Sequence, residues 1–189
     1  MPIGNAYATG TIIAFIEQYH LKNKTLNVLD VGCGIGHNGF VFREMFEIRY
    51  ARLKPEEWMH HITAIEIFQG YKNPTWDYVY NTVIIGNCLT EVPYLKNERY
   101  DIIFATEILE HLERKDMYSL LDELLHMITD DGSIIITIPV ADKEAFLSQK
   151  DLFGNINETH KNYVTIKDFK KYYIKHAVND GIFMIGKNQ

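Results

Sequence analysis

Four apolar runs rich in Val and Ile punctuate the first three quarters of the chain: Asn27–Val31, His61–Ile65, Tyr100–Ala105 and Ser133–Ile138. Polar residues do not alternate through them, which is the pattern of strands buried on both faces of a parallel sheet. Val83–Ile85 is a shorter candidate strand. Between the runs, apolar positions return at helical spacing over Ala8–Tyr19, Asn38–Phe46 and Met117–Met127, the last with Leu120, Leu121, Leu124 and Leu125 on one stripe. Strand and helix in alternation predict an α/β fold with a doubly wound, mostly parallel sheet. The tail Gly181–Gly186 predicts an antiparallel edge strand.

Two stretches break the pattern. Residues 47–60 and 69–82 hold Trp58, Trp76, Pro55, Pro74 and several tyrosines, and read as insertions or loops whose aromatics are lids or covers. After Pro139 the chain is polar and irregular until Thr165, where Ile166, Phe169, Tyr172 and Tyr173 resume a helical or mixed pattern. With 189 residues the chain fits a single domain, so one active site is expected.

Charge and cysteine count narrow the class. The 19 Lys and Arg face 25 Asp and Glu, a net charge of −6 that supplies no phosphate-binding field and disfavours nucleic acid as a partner. Cys33 and Cys88 are too few for a disulfide framework, and the start lacks a signal-peptide pattern, so a cytoplasmic location is expected. The apolar stretch Thr11–Ile16 is too short to cross a bilayer, so no membrane association is expected. Nothing in the pattern specifies an oligomeric state.

The first strand runs directly into Gly32-Cys33-Gly34-Ile35-Gly36, and a helix follows. Glycines after a strand let the backbone turn tightly and approach a ligand closely. Asp30 adds information, because an acid there repels a pyrophosphate yet suits a ligand bearing an ammonium and a sulfonium. Gly34-Ile35-Gly36-His37-Asn38-Gly39 also satisfies the dinucleotide G-x-G-x-x-G spacing, but it begins two residues late relative to the strand. A ligand-free structural turn is the third reading.

Asp30-Val31-Gly32-Cys33-Gly34-Ile35-Gly36 resembles motif I of the class I S-adenosylmethionine-dependent methyltransferases, whose fold is Rossmann-like. The resemblance covers about residues 26–140 and implies S-adenosylmethionine as cofactor, with Asp30, Gly32, Cys33, Gly34 and Gly36 around it. It implies that Glu66, closing the second strand, accepts hydrogen bonds from the ribose hydroxyls, and that Ile67 and Phe68 pack on the adenine. Gly86-Asn87-Cys88-Leu89 resembles the loop that contacts the adenine amino group; Asn87 stands where an acid is common, and an amide still accepts there. Thr106, at the end of the fourth strand, completes the cofactor set. The implied division is an N-terminal helix over 1–26, a cofactor-binding core over 27–140, and an acceptor-side loop with the C-terminal edge over 141–189.

The fourth strand leads into Thr106-Glu107-Ile108-Leu109-Glu110-His111. If a helix begins there, Glu107, Glu110 and His111 share one face at the carboxyl end of a central strand, where open α/β sheets keep their ligands. With His160 from a later loop they form a candidate divalent-metal set, and Glu107, His111 and His160 are the candidate catalytic groups. The segment resembles the Glu-x-x-Glu-His metal motif of small-RNA 3′-terminal 2′-O-methyltransferases, and equally a segment of many small-molecule O-methyltransferases. The competing reading has the two acids favouring a helix N-terminus. His37, His60, His61, His126 and His176 read as core or surface residues.

Against the same families, Ala105-Thr106-Glu107-Ile108 stands where nucleobase amino-methyltransferases carry an Asn/Asp-Pro-Pro-aromatic motif, and neither cysteine follows a proline as cytosine-C5 enzymes need. The stretches Phe153-Gly154-Asn155, Glu158-Thr159-His160 and Thr165–Phe169 resemble the tails of small stand-alone methyltransferases of glycan and natural-product pathways. The expectation is therefore methylation of a hydroxyl on a sugar or other small-molecule acceptor. The alternatives are a metal-dependent RNA 2′-O-methyltransferase, a noncatalytic cofactor-binding subunit and a nicotinamide dehydrogenase.

Overall fold

A computed structural model describes residues 6–19, 24–147 and 154–187. It contains one seven-stranded sheet in the order β3-β2-β1-β4-β5-β7-β6. The strands are β1 (Asn27–Val31), β2 (His61–Glu66), β3 (Thr82–Ile85), β4 (Tyr100–Thr106), β5 (Ile128–Thr137), β6 (Tyr173–Asn179) and β7 (Ile182–Gly186). The first five pair in parallel; β7 is antiparallel to both β5 and β6. The six α-helices among the described residues are α1 (Thr9–Glu17), α2 (His37–Phe46), α3 (Pro74–Val79), α4 (Cys88–Glu91), α5 (Arg114–Met127) and α6 (Lys143–Leu147). None is long and apolar enough to cross a membrane.

Unbroken apolar runs are needed because both faces of the sheet are covered. On one face Leu29, Val31, Ile103, Ala105, Ile134 and Ile136 pack with Leu120, Leu121 and Leu124 of α5. On the other, Val28, Ile102, Phe104 and Ile135 pack with Phe15 and Ile16 of α1, Phe42 and Phe46 of α2, and Trp76 of α3. Successive side chains of each strand serve opposite cores. The order reverses between β1 and β4, whose neighbours lie on opposite sides, so their carboxyl ends part and leave a crevice.

Three expectations need correction. Gly181–Gly186 does form an antiparallel strand, but β7 is interior and the edge is β6, whose mostly exposed residues give no buried-strand signal. Residues 69–82 are not an insertion: they include α3, whose start is set by Pro74 and by the Asn73 side chain accepting from Thr75 N. No helix begins at Thr106, because that residue ends β4 and Glu107 takes a left-handed φ of 52°.

The aromatic stretch 47–60 is a cover, and buried charge pins it. Arg43, fully buried in α2, donates to the carbonyls of Val79 and His60 and to Asn81 Oδ1, pairs with Glu47, and lies 4.0 Å beneath the Trp58 ring. Glu47, equally buried, accepts from the amides of Met59 and His60 and from Arg52. Each charge is fully partnered, the condition under which such burial is tolerated.

Candidate active site

The glycine turn is shaped by three left-handed residues, Gly32 (φ 72°), Gly34 (φ 54°) and Gly36 (φ 96°). At Gly32 a Cβ would fall 2.4 Å from Ile108 Cδ1, so the turn after β1 fits tightly against the turn after β4. Gly36 is the N-cap of α2, and a Cβ there would press on Thr75 and Trp76 at 3.2–3.3 Å. From α3, Trp76 Nε1 donates to Gly34 O at 2.8 Å and holds the turn from behind.

Below the turn, Asp30 is fully buried and accepts from Tyr80 Oη at 2.7 Å and Asn38 Nδ2 at 3.2 Å. Burial pushes its carboxyl up to about 6 against those two hydrogen bonds. Asn38 also donates to Thr106 Oγ1 at 2.8 Å, tying the ends of β1 and β4 together. Glu66, at the end of β2, accepts from Gly34 N at 2.9 Å through one oxygen and from Phe68 N at 2.8 Å through the other. Burial raises the Glu66 carboxyl above its ordinary range, and both amide bonds oppose the rise.

These elements enclose a cleft at the carboxyl ends of β1, β2, β3 and β4. Of the residues singled out from sequence, Gly32, Cys33, Gly34, Glu66, Ile67, Asn87, Cys88, Thr106, Glu107 and His111 line it. Asp30, Gly36, Glu110 and His160 do not. Asp30 and Gly36 support the turn rather than form its wall, because a strand-end acid with two side-chain donors over it faces inward. Phe68 is also absent from the wall and packs edge-on against Tyr71. Asn87 caps α4 by accepting from Leu89 N at 3.0 Å. Phe153 lies outside the described residues.

The expected cluster after β4 is split. Glu107 stands at the cleft with Oε1 buried and outside hydrogen-bond geometry with any described residue; burial raises its carboxyl, and the nearby Thr137 side chain opposes the rise. Glu110 and His111 belong to a short 3-10 turn, Leu109–His111, and ligand atoms of Glu110, His111 and His160 lie within 4.8 Å of one another. Glu107 is outside that group, since its left-handed backbone separates it from the turn.

Glu110 is fully buried, and neither carboxylate oxygen has a hydrogen-bond partner among the described residues. Burial first and Glu107 second hold its carboxyl well above the usual range. His111 Nδ1 faces Thr159 O at 3.3 Å, and His160 Nδ1 faces Phe146 O at 2.6 Å, so both Nε2 atoms stay available. Burial brings His111 down to about 4, so that imidazole is neutral at pH 7, and burial lowers His160 as well.

Sequence reasoning expected an acceptor-side loop within 141–189 but named none of the residues of one wall as site residues. Tyr71, Asn155, Asn157, Glu158 and Lys161 also line the cleft. Asn155 and Glu158 fall in the stretches that resemble methyltransferase tails, but the segment is polar and irregular, with no periodic signal to single them out as cleft residues.

No curated protein matches the chain. Among solved structures, a TehB-like methyltransferase from Corynebacterium glutamicum is similar at 10% identity and TM-score 0.55, covering 97% of this chain and 100% of its own. A 1,6-didemethyltoxoflavin-N1-methyltransferase from Burkholderia thailandensis is similar at 15% identity and TM-score 0.59, over 96% and 79% of the two chains. An amino pentose methyltransferase of calicheamicin biosynthesis from Micromonospora echinaspora is similar at 14% and 0.51, over 72% and 51%. At these identities the likeness is one of fold. A family model described as a methyltransferase domain matches residues 5–175, and the chain belongs to that family of S-adenosylmethionine-dependent methyltransferases.

Proposed function

We propose that this methyltransferase moves the methyl group of S-adenosylmethionine to a hydroxyl of a small acceptor, a sugar or similar metabolite, in the cytoplasm. The observation that carries the reading is Glu107: it lines the cleft, and its buried Oε1 has no partner among the described residues. Transfer from a sulfonium is an in-line displacement governed by how the nucleophile is positioned. Glu107 accepts the hydroxyl proton as the oxygen attacks the methyl carbon, and burial makes it a stronger base than an exposed carboxylate. His111, neutral and on the same wall, orients the acceptor.

Glu110, His111 and His160 fit a divalent cation. One unpartnered carboxylate and two imidazoles form a suitable donor set, and each Nδ1 already faces a backbone carbonyl as metal-bound histidines prefer. A cation there would offset the Glu110 charge and favour ionisation of a nearby hydroxyl. Charge favours a small acceptor over RNA: Glu66, Glu107, Glu113, Asp116 and Glu158 line the cleft with a single lysine, Lys161. Among the neighbours, one is named as acting on an amino pentose, which supports trying sugars first.

The test is incubation with S-adenosylmethionine and a panel of hydroxylated sugars and metabolites, each with and without Mg2+ or Mn2+, read by mass spectrometry. Methyl ether formation that depends on Glu107 supports the reading. Methylation confined to ring or amino nitrogens, or to RNA, contradicts it.

A further inference from the structure

Residues 155–162 form a wall of the cleft, held near its two ends and, between them, by His160 Nδ1 facing Phe146 O at 2.6 Å. At one end Tyr71 Oη donates to Glu158 Oε1 at 2.8 Å and accepts from Asn155 Nδ2 at 3.3 Å. At the other the amides of Lys161 and Asn162 donate to Glu110 O at 2.9 and 3.2 Å, and Thr159 O faces His111 Nδ1. Tyr71 belongs to the turn after β2, Gln69–Tyr71, and Glu110 to the turn after β4. Those strands flank β1 on either side, so the segment bridges the end of the strand that carries the glycine turn. Asn155, Asn157, Glu158 and Lys161 face the same cleft as Gly32 and Glu66.

We propose that residues 155–162 are a strap that opens at its Tyr71 end to exchange cofactor and product, and that the Tyr71 hydroxyl is the positioning group that closes it. The two attachments differ in kind. Backbone amides hold the Glu110 end, with His160 seated on the Phe146 carbonyl beside it, while the Tyr71 end carries two side-chain hydrogen bonds that converge on one hydroxyl and can part without disturbing the sheet. The inference rests on the cleft being the cofactor site.

Tyr71→Phe removes the hydroxyl and keeps the ring against Phe68, 4.9 Å between centroids. Without ligand, amide hydrogen exchange over 155–162 is expected to speed up about ten-fold while that of β1 and β4 stays unchanged, the size expected for losing a hydrogen bond to a carboxylate. Glu158→Gln, which keeps an acceptor oxygen for Tyr71, stays closer to wild type than Glu158→Ala. In a chase of labelled S-adenosylhomocysteine, Tyr71→Phe is expected to release the ligand about ten-fold faster, by the same lost bond. Unchanged exchange over the strap overturns the latch, and unchanged release with faster exchange overturns its gating role. Failure of wild-type protein to bind S-adenosylhomocysteine would count against the cofactor cleft itself and overturn the gate with it, while the ligand-free exchange still decides the latch.

Discussion

The two halves of the cleft are built differently. The half proposed to hold the cofactor is local: one strand, one glycine turn and one helix, with Glu66 bonded to Gly34 N from the neighbouring strand end. The half proposed to take the acceptor is assembled from segments far apart in the chain, with Glu107 on a left-handed backbone, a 3-10 turn at 109–111 and the segment 155–162. The cofactor half leaves its polar groups paired, whereas the acceptor half leaves Glu107 Oε1 and both Glu110 oxygens without partners among the described residues. A fixed common ligand is met by a preformed pocket; buried unpaired carboxylates are tolerated where chemistry or a ligand uses them.

The largest effect that separates the halves is expected from Glu107→Gln. It should lower turnover of the identified acceptor by roughly 10²–10³-fold while leaving S-adenosylhomocysteine affinity nearly unchanged, as measured by steady-state kinetics beside calorimetry. Equal losses in both would erase the division. Next in size, Mn2+ at a hundred-fold excess over its dissociation constant should stabilise wild-type protein by about 3 kcal/mol, a rise of roughly 5–10 °C in melting temperature. His160→Ala should abolish that rise; a rise that persists removes the cation from the proposed cluster.

The smallest effect concerns the cofactor half. The Asp30 carboxyl is raised from 3.8 to about 6 on folding, so its contribution to stability is present below pH 3.8 and is lost as pH rises through 6. Asp30→Asn lacks this titration, and its stability relative to wild type should improve by on the order of 2 kcal/mol between pH 4 and pH 7 in urea unfolding. A pH-independent difference would mean that Asp30 is not held uncomfortably beneath the turn.

The same contrast explains what could be read in advance. β1 and α2 were legible because apolar runs and glycines at a strand end are local signals, whereas Glu66 was singled out only through the family resemblance. α3 was not, since six residues with a proline and two aromatics look like a loop, although Trp76 and Tyr80 from this region support Gly34 and Asp30. Helical spacing brought Glu110 and His111 together correctly, yet it placed Glu107 with them because a left-handed residue after a strand has no sequence signature when it is not glycine. His160 was identified by type alone, and Tyr71 was not identified at all, because the contact between Tyr71 and Glu158 spans 87 residues.

The central claim is that the cleft at the ends of β1 and β2 holds the cofactor through Glu66. Calorimetric titration of wild-type and Glu66→Ala protein with S-adenosylhomocysteine, with folding checked by circular dichroism, tests it most directly. The account predicts one site per chain in wild type and binding weakened by about ten-fold or more in Glu66→Ala, the loss expected for hydrogen bonds to a carboxylate. No binding by folded wild-type protein, or equal affinity in the two, would contradict it.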